Sequence, residues 1–438
     1  MTSTPSLARR LGTGDAVVIG LSSMIGAGVF SAFGPAARAA GSGLLIGLAV
    51  AASVAYCNAV ASAQLAAQYP TSGGTYVYGR ERLGDWWGFV AGWGFVIGKT
   101  ASCAAMALTF ASYAVGGPIW IDRLVAAAAV IVLTAANYRG ISRTAGLARV
   151  LVAISIVSLL VVVLGIATSG HAETGRITAG SFGPYGVLQA AGLLFFAFAG
   201  YARIATLGEE VRDPSRTIPR AVPIALAITL SLYLAVALAA LSGATPAVLA
   251  ASSRPLAAAT RSAGAVWALP VVRIGAAVAS LGSLLALIAG VGRTSLAMAR
   301  NRDLPRWLAS VHPRHQVPGH AELAVASAVL VLVLTTDLRN AIGFSSFGVL
   351  LYYAIANASA YTQPPSQRRW PRALNVAGFL GCTVLVATLP LSAVVAGIGV
   401  LGVGVMGRGL VCRLRPDQMA SQAAETRGTH TSGEHCRR

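Results

Sequence analysis

Apolar residues fill long uninterrupted runs along the chain, and short polar segments rich in arginine, glycine and proline separate these runs. A helix needs about 20 mainly apolar residues to cross a bilayer, and each run is close to that length. The third and eighth runs are longer, which predicts tilted or protruding helices. The pattern predicts about twelve transmembrane helices, at residues 15–36, 43–67, 86–114, 119–137, 147–168, 187–209, 219–242, 266–298, 321–336, 340–361, 374–390 and 391–411.

The composition agrees with insertion into a membrane. Hydrophobic residues make up 55% of the 438 positions and charged residues 11%, whereas soluble domains contain about 25% charged residues. The sequence therefore predicts an all-α polytopic membrane protein without a soluble domain. The five cysteines are scattered without metal-ligand spacing, so we expect no metal site, no cofactor and no disulfide framework.

The formal net charge of +19 is concentrated in every second loop. The arginines of these loops are Arg9, Arg10, Arg80, Arg82, Arg139, Arg143, Arg149, Arg212, Arg216, Arg220, Arg300, Arg302, Arg306, Arg314, Arg368, Arg369, Arg372, Arg408, Arg413 and Arg415. Basic loops lie on the cytoplasmic side of membrane proteins, so we expect a multi-pass protein of the cell membrane with both termini in the cytoplasm. Nucleic-acid binding would require a continuous basic face, and we expect no nucleic-acid partner.

The first predicted span contains Gly26 and Gly28, flanked by small residues. Such glycines let helices pack closely, and they equally allow the helix to be interrupted. An interruption frees backbone N–H groups, and the N-terminus of a half-helix adds partial positive charge, so together they favour an anion. On this segment alone, packing and binding remain equal alternatives.

The sixth predicted span contains a comparable irregularity. Gly200 lies among aromatic residues, and Arg203 follows it inside the apolar run. Interrupted helices at corresponding positions of two halves are the best sequence indicator of a transport site. The first and sixth spans correspond if the first ten form two repeats of five, and this correspondence favours a transport site over packing.

These segments resemble the amino acid–polyamine–organocation (APC) superfamily of permeases, and the resemblance extends over the first ten spans. It is carried by residues 25–30 (Ile-Gly-Ala-Gly-Val-Phe), Pro70, Gly73, Gly74, Tyr76 and Tyr78, residues 195–201, Glu209 and Glu210, Pro214, Ile218 and Pro219, Arg293, residues 297–300, and residues 303–305 (Asp-Leu-Pro).

The resemblance implies the leucine-transporter-like fold, with a 5+5 inverted repeat, discontinuous helices 1 and 6, and alternating access. We therefore expect a cytoplasmic leader at residues 1–14, a first five-helix repeat at 15–168 and a second, inverted one at 187–361. Two additional transmembrane helices would cover 374–411, and a disordered basic cytoplasmic tail would cover 412–438.

The resemblance also implies where an amino acid binds. Amides around Ile25, Gly26, Ala27 and Gly28 would hold the substrate carboxylate. Carbonyl groups near Ser23, Met24, Phe196 and Ala199 would hold the α-ammonium, and Phe196, four residues before Gly200, would cover the substrate. A zwitterion needs N–H groups on one side and carbonyls on the other, so this arrangement requires no charged side chain.

Charged residues inside the spans limit the mechanism further. Lys99, the only lysine of the chain, lies in the middle of the third span, and an ionisable group there is a functional candidate. It is a candidate for carrying the coupling proton or for binding a substrate carboxylate, and the alternative is a cation that snorkels to the membrane surface or binds to carbonyl groups. Arg203 is expected to pair with Glu209 or Glu210.

None of the 14 acidic residues lies at the centre of a span. A cationic substrate would therefore be poorly neutralised, which favours neutral amino acids, with acidic amino acids as the alternative. Two departures from the family pattern limit what the resemblance implies, the first for substrate charge and the second for a lysine-based coupling device, which we expect to be absent at that position. Ala202 stands where many relatives carry an acid, and Ser155 aligns with a lysine of some proton-coupled relatives.

The leading hypothesis is a secondary active amino acid permease that uses protons or exchange. A sodium-coupled symporter is the alternative, with Ser280 and Ser283 as candidate ion ligands, although these serines equally fit helix packing. An intramembrane enzyme would need paired carboxylates, a metal set or an activated nucleophile, and the acids and histidines lie outside the span centres. An open channel agrees less well with two interrupted helices. A non-transporting sensor would usually carry a soluble domain, and the sequence predicts none.

Overall fold

The computed structural model describes residues 11–71, 73–139, 145–173, 175, 183–315 and 317–414. Within these ranges the protein is built from α-helices, and the only bridge of strand type pairs Leu11 with Val211. The N–H of Leu11 donates to Glu210 and the N–H of Arg212 donates to Leu11. This bridge attaches the start of the first helix to the segment that follows the sixth predicted span.

The helices have the following bounds. The first half contains α1 Thr13–Met24, α2 Ala27–Ser31, α3 Phe33–Ala40, α4 Leu44–Gln68, α5 Thr75–Leu83, α6 Asp85–Ala114, α7 Ile119–Tyr138 and α8 Ala145–Ala167. The second contains α9 Pro184–Phe198, α10 Ala202–Ala205, α11 Pro214–Gly243, α12 Pro246–Ala251, α13 Pro255–Ser262, α14 Leu269–Arg300, α15 Gly319–Thr335, α16 Leu338–Tyr361, α17 Arg372–Thr388 and α18 Leu391–Leu414.

Nine helical segments of the described chain are long and apolar enough to cross a membrane, and α9, α15 and α17 are shorter apolar helices. All twelve overlap the runs predicted from the sequence, and the largest difference is in the sixth run, where α9 ends at Phe198 because the helix is interrupted there. The prediction of an all-α polytopic membrane protein is thus confirmed. The inverted symmetry of two five-helix repeats stays a prediction, as do the domain boundaries.

Helices α6 and α16 approach each other closely. A Cβ added at Gly98 of α6 would lie 3.1 Å from the Cα of Gly348 on α16, and Gly94 lies one turn earlier along the same contact. In a membrane the hydrophobic effect does not drive helices together, so their association depends on close packing, which small residues allow. The contact fixes the position of Lys99, which follows Gly98 directly.

The connection between α4 and α6 is attached to the end of α14. The Tyr76 hydroxyl of α5 donates to Oδ2 of Asp303 at 2.7 Å, and Nη1 of Arg80 lies 3.1 Å from the same oxygen. Burial, followed by the charge of Asp303, raises the pKa of Tyr76, so its hydroxyl keeps the proton that it donates. This cluster joins the α5 segment to the segment that ends the eighth span.

Several predictions lie partly outside the described residues. Residues 1–10 of the expected leader, with Arg9 and Arg10, are among them, as are Arg143 and residues 415–438 of the expected tail. The chain divides into two compact units, the first ending at Gly397. In the second, residues 398–414 continue the helix α18 with exposed apolar side chains such as Val403 and Met406.

Candidate functional site

The first predicted break lies where the sequence places it. Helix α1 ends at Met24, Ile25 and Gly26 leave the helical conformation, and α2 begins at Ala27. The Gly26 N–H donates to Met24 at 2.8 Å, whereas in a continuous helix it would donate to Ser22. The carbonyl of Ser22 therefore loses its usual donor, and the first N–H groups of α2, including that of Gly28, have no acceptor within the helix.

The second break lies in the sixth span. Helix α9 ends at Phe198, and a turn through Ala199 and Gly200 leads to the four-residue helix α10. The Arg203 N–H donates to Gly200 at 3.0 Å, although a continuous helix would direct it to Ala199. The carbonyl of Ala199 is thereby released from the helical pattern.

The two breaks pack directly against each other. A Cβ added at Gly28 would lie 2.6 Å from the Cα of Ala197, and a Cβ at Gly200 would contact the backbone of Ser23 and Met24. Each glycine is required because the backbone of the other broken helix occupies the space of a side chain. The predicted carboxylate and ammonium segments are thus neighbours in the folded chain.

Tyr233 of α11 connects the two breaks through its side chain. Its hydroxyl lies 2.6 Å from the carbonyl oxygen of Met24 and 3.1 Å from that of Ala197. The side chain is buried, and the neighbouring ring of Phe198 lies 5.1 Å away between centroids. A single hydroxyl thus holds one carbonyl from each broken helix.

Lys99 reaches the second break from α6. Its Nζ donates to the carbonyl oxygen of Ala199 at 3.1 Å, and the side chain is 8% exposed. The Tyr353 hydroxyl of α16 approaches the same oxygen at 3.4 Å. No ion pair found among the described residues includes Lys99. The lysine therefore binds the carbonyl that the break releases, and its role in coupling stays a prediction.

Phe196 is buried at the edge of the second break, at 7% exposure. It forms a small apolar cluster with Leu193, Ala105 of α6, and Ala341 and Ile342 of α16. The ring thus lies between the third, sixth and tenth spans. Coverage of the substrate by this ring stays a prediction.

A small cavity borders the first break. Its volume of about 10 Å³ is near the lower limit for one water molecule or small ion. Its lining includes Ser22, Ile25, Ser155 and Ser283. A Cβ at Gly26 would contact the Ser283 hydroxyl. Of the two candidate ion ligands, Ser283 thus reaches the first break. Ser280 is fully buried, lacks a hydrogen-bond partner among the described residues and does not line this cavity.

The charged groups near the second break lie towards one end of the site. Nη2 of Arg203 lies 3.8 Å from Oε1 of Glu210, so Glu210, one of the two predicted partners, pairs with Arg203. Both side chains are partly exposed, and such pairs contribute little to stability. The position two residues after Gly200 is the buried Ala202, so no carboxylate is provided there.

Sequence reasoning missed Tyr233 and Tyr353. Tyr233 is separated from Met24 by 209 positions and Tyr353 from Ala199 by 154. Both tyrosines lie within apolar runs, where an aromatic residue more often serves packing. Only the fold brings their hydroxyls to the carbonyl groups of Met24, Ala197 and Ala199 at the two breaks. The one signal in the sequence is a tyrosine within a span that is predicted to contact a broken helix.

The chain is similar to known proteins over nearly its whole length. The family described as "Amino acid permease" matches residues 11–406. A protein of Mycobacterium tuberculosis named "Uncharacterized transporter Rv1999c" is 62% identical over 398 residues, which cover 90% of this chain and 89% of that protein.

More distant relatives carry more specific names. The branched-chain amino acid permease BcaP of Bacillus subtilis is 27% identical over 397 residues, with 85% of this chain and 84% of the relative covered. The chloroplastic cationic amino acid transporter 7 of Arabidopsis thaliana is 29% identical over 394 residues, with 82% and 66% covered. These names refer to both neutral and cationic substrates.

Proposed function

The chain belongs to the amino acid permease family, and we propose that it imports neutral amino acids by alternating access, driven by protons or by exchange. Because this is a family of transporters, the protein is an amino acid transporter, and the intramembrane enzyme is set aside. We place it in the cell membrane with both termini in the cytoplasm, following the distribution of arginines.

The observation that carries the proposal is the direct packing of the two breaks, through Gly28 on Ala197 and Gly200 on Ser23. The first N–H groups of α2 would bind the carboxylate of the substrate, because they lack helical acceptors and lie at a positive helix end. Carbonyl groups of both breaks would bind its α-ammonium. A zwitterion is thus matched by backbone groups alone.

The preference for neutral substrates follows from the side chains at the site. Ala202 provides no carboxylate beside the second break, and Glu210 is 3.8 Å from Arg203. A cationic side chain would therefore meet Lys99 and Arg203, while Glu210 already faces Arg203. The name of BcaP, a branched-chain amino acid permease, supports the same substrate class.

We assign the coupling proton to Lys99. Its ammonium is bound to Ala199 within the second break, and this break packs against Gly28 of α2 through Ala197. A protonated Lys99 would favour the substrate carboxylate, so proton and substrate would bind together. Loss of the proton towards the cytoplasm would remove this attraction and favour release. Lysine is suited to this role because burial disfavours its charged form.

A sodium-coupled mechanism is the second candidate, because of the cavity that Ser22, Ser155 and Ser283 line. The carbonyl of Ser22 lacks its helical donor, and hydroxyl and carbonyl oxygens suit a hard monovalent cation. In this alternative, Ser283→Ala would raise the sodium concentration needed for half-maximal uptake. In the proton mechanism, the same substitution would leave sodium-free uptake unchanged.

The deciding experiment uses purified protein in liposomes, without sodium and with an inward proton gradient. Uptake of radiolabelled neutral, acidic and cationic amino acids and of polyamines is measured with and without a protonophore. We expect a neutral amino acid to accumulate and the protonophore to abolish this accumulation. Accumulation that begins only on addition of sodium would favour the second candidate. Absence of transport for every substrate under all three conditions (proton gradient, sodium gradient, internal substrate) would contradict the proposed function.

A further inference from the structure

Helices α4 and α16 carry matching polar residues at corresponding positions. Asn58 contacts Asn357, and Gln64 contacts Gln363, which lies just beyond the end of α16. In each pair the two residues are 299 positions apart in the sequence. The equal separation means that the two helices run in the same direction and in register. The second pair lies near the arginine-rich loop that contains Arg368 and Arg369, which we assign to the cytoplasm.

The asparagine pair is buried and only partly satisfied. Nδ2 of Asn357 donates to Oδ1 of Asn58 at 2.6 Å, and the Cys382 thiol of α17 lies 3.4 Å from the same oxygen. Both asparagines are fully buried, yet Nδ2 of Asn58 and Oδ1 of Asn357 lack partners among the described residues. If the pair served only to hold the helices together, these two atoms would remain uncompensated.

Further unsatisfied groups continue the row in both directions. Towards the substrate site, the buried Tyr201 hydroxyl interacts with the side chains of Asn58 and Tyr353 but meets hydrogen-bond geometry with neither of them. Its ring lies 4.9 Å from that of Tyr353 between centroids. Towards the cytoplasm, Ser62 lies one turn after Asn58, is 2% exposed and lacks a hydrogen-bond partner in the described chain.

Glutamines complete the row at the cytoplasmic end. Nε2 of Gln363 donates to Oε1 of Gln68 at 2.6 Å, and the N–H of Arg369 lies 3.4 Å from Oε1 of Gln64. Nε2 of Gln64 and Oε1 of Gln363 have no partner among the described residues, although both side chains are buried. The row from Tyr353 to Gln363 spans ten residues of chain, which corresponds to about 15 Å along a helix.

Buried polar atoms almost always have a hydrogen-bond partner, and internal water provides it where protein does not. The polar row comprises Tyr353, Tyr201, Asn58, Asn357, Ser62, Gln64 and Gln363. Its upper end adjoins Lys99, because Tyr353 and Lys99 approach the same carbonyl oxygen of Ala199. The row therefore joins the only buried lysine to the cytoplasmic surface.

We propose that the polar row holds a file of internal water that conducts the proton of Lys99 to the cytoplasm, separately from the route of the substrate. This inference rests on the proposed function, since it requires a transporter in which Lys99 carries a proton. The Lys99 ammonium gives its proton to the first water and becomes a neutral amine. Each water passes one proton on, and one proton is released into cytoplasmic water.

The test is the double variant Asn58→Leu and Asn357→Leu, which removes both partners and so leaves neither amide unpaired. Ser62→Val is a milder variant in the same row. Thr229→Val is the matched control, because its hydroxyl on α11 is also fully buried and lacks a partner among the described residues. Each protein is reconstituted in liposomes that contain a pH-sensitive dye.

Two quantities are compared for each protein: the exchange of internal for external substrate, and the proton influx and accumulation driven by a pH gradient. We expect proton-driven accumulation by the double variant to fall at least tenfold below that of the unmodified protein, while its rate of exchange stays within twofold. Ser62→Val should also reduce accumulation more than exchange, by a smaller factor. Thr229→Val should retain both activities. Unchanged proton-driven accumulation in both row variants, or an equal loss of exchange and accumulation, would overturn the proposal. Absence of both exchange and gradient-driven uptake in the unmodified protein would instead contradict the proposed function.

Discussion

The Nζ of Lys99 lies 3.1 Å from the carbonyl oxygen of Ala199, which the break in the sixth span has released from helical hydrogen bonding. In a continuous helix this oxygen would accept from Arg203, and Lys99 would have no acceptor on that helix. The break and the buried cation therefore stabilise each other. Any change in the charge of Lys99 acts directly on the backbone of the proposed substrate site.

We expect Lys99→Met to abolish accumulation driven by a proton gradient, because methionine keeps much of the side-chain volume and carries no proton. The pH dependence of uptake should flatten, and exchange of internal for external substrate should remain measurable. Arg273→Met is the control, since Arg273 also binds released carbonyls, those of Tyr113 and Ala114, at another helix end. Full accumulation in Lys99→Met would remove this residue from the coupling mechanism.

We expect Gly26→Leu to reduce substrate uptake at least tenfold while leaving the amount of protein in the membrane unchanged. A Cβ at this position contacts the Ser283 hydroxyl, so a leucine displaces the segment that carries the amides of the first break. Gly290→Leu in α14 is the matched control, because a Cβ there meets no atom within 4 Å. Normal uptake by Gly26→Leu would argue against carboxylate binding at this break.

The sequence predicted the positions of the helices and of both breaks well, because these depend on local signals. Long apolar runs define the spans, and Gly26 and Gly200 lie where the helices are interrupted. The partners of the released carbonyls could not be predicted in the same way. Tyr233 and Lys99 reach Met24 and Ala199 across distant parts of the chain, and no periodic pattern marks such contacts.

The candidate ion ligands show the same limit. Ser280 and Ser283 lie on one helix and were equivalent by sequence, but only Ser283 contacts the first break. Helix rotation decides which serine faces the cavity, and an apolar run with polar residues on more than one side does not specify that rotation. The sequence therefore identified a helix that lies beside the first break but not which of its two serines faces that break, and an ion site there stays a prediction.

We expect Phe196→Ala to weaken the apparent affinity for substrate about five- to thirtyfold, the effect of losing roughly 1–2 kcal/mol of apolar contact. The measurement is the KM for uptake or the competition of unlabelled substrate. Leu193→Ala is the control, because Leu193 belongs to the same apolar cluster one turn earlier. Equal losses in both variants would indicate that packing of the cluster, and not coverage of the substrate, accounts for the effect.

We expect Asp303→Asn to lower the thermal midpoint of the detergent-solubilised protein, with a cost of about 1–3 kcal/mol for weakening a buried polar cluster. Asp303 accepts from Tyr76 and lies 3.1 Å from Arg80, and its side chain is 2% exposed. Asp85→Asn is the matched control, since Asp85 also pairs with Arg80 but is 58% exposed, and exposed pairs contribute little. A larger effect of Asp85→Asn would reverse this ranking.

We expect Ala202→Glu to shift the substrate preference from neutral towards cationic amino acids. Ala202 is buried at the start of α10, two residues after Gly200, so a carboxylate there would lie beside the second break and could neutralise a cationic side chain. The measurement is the ratio of arginine to neutral amino acid uptake, with an expected increase of at least tenfold. Ala205→Glu, at the end of the same short helix, controls for a buried acid as such. An unchanged ratio in Ala202→Glu, with exchange of neutral substrate preserved, would show that the absence of an acid at this position does not determine substrate class.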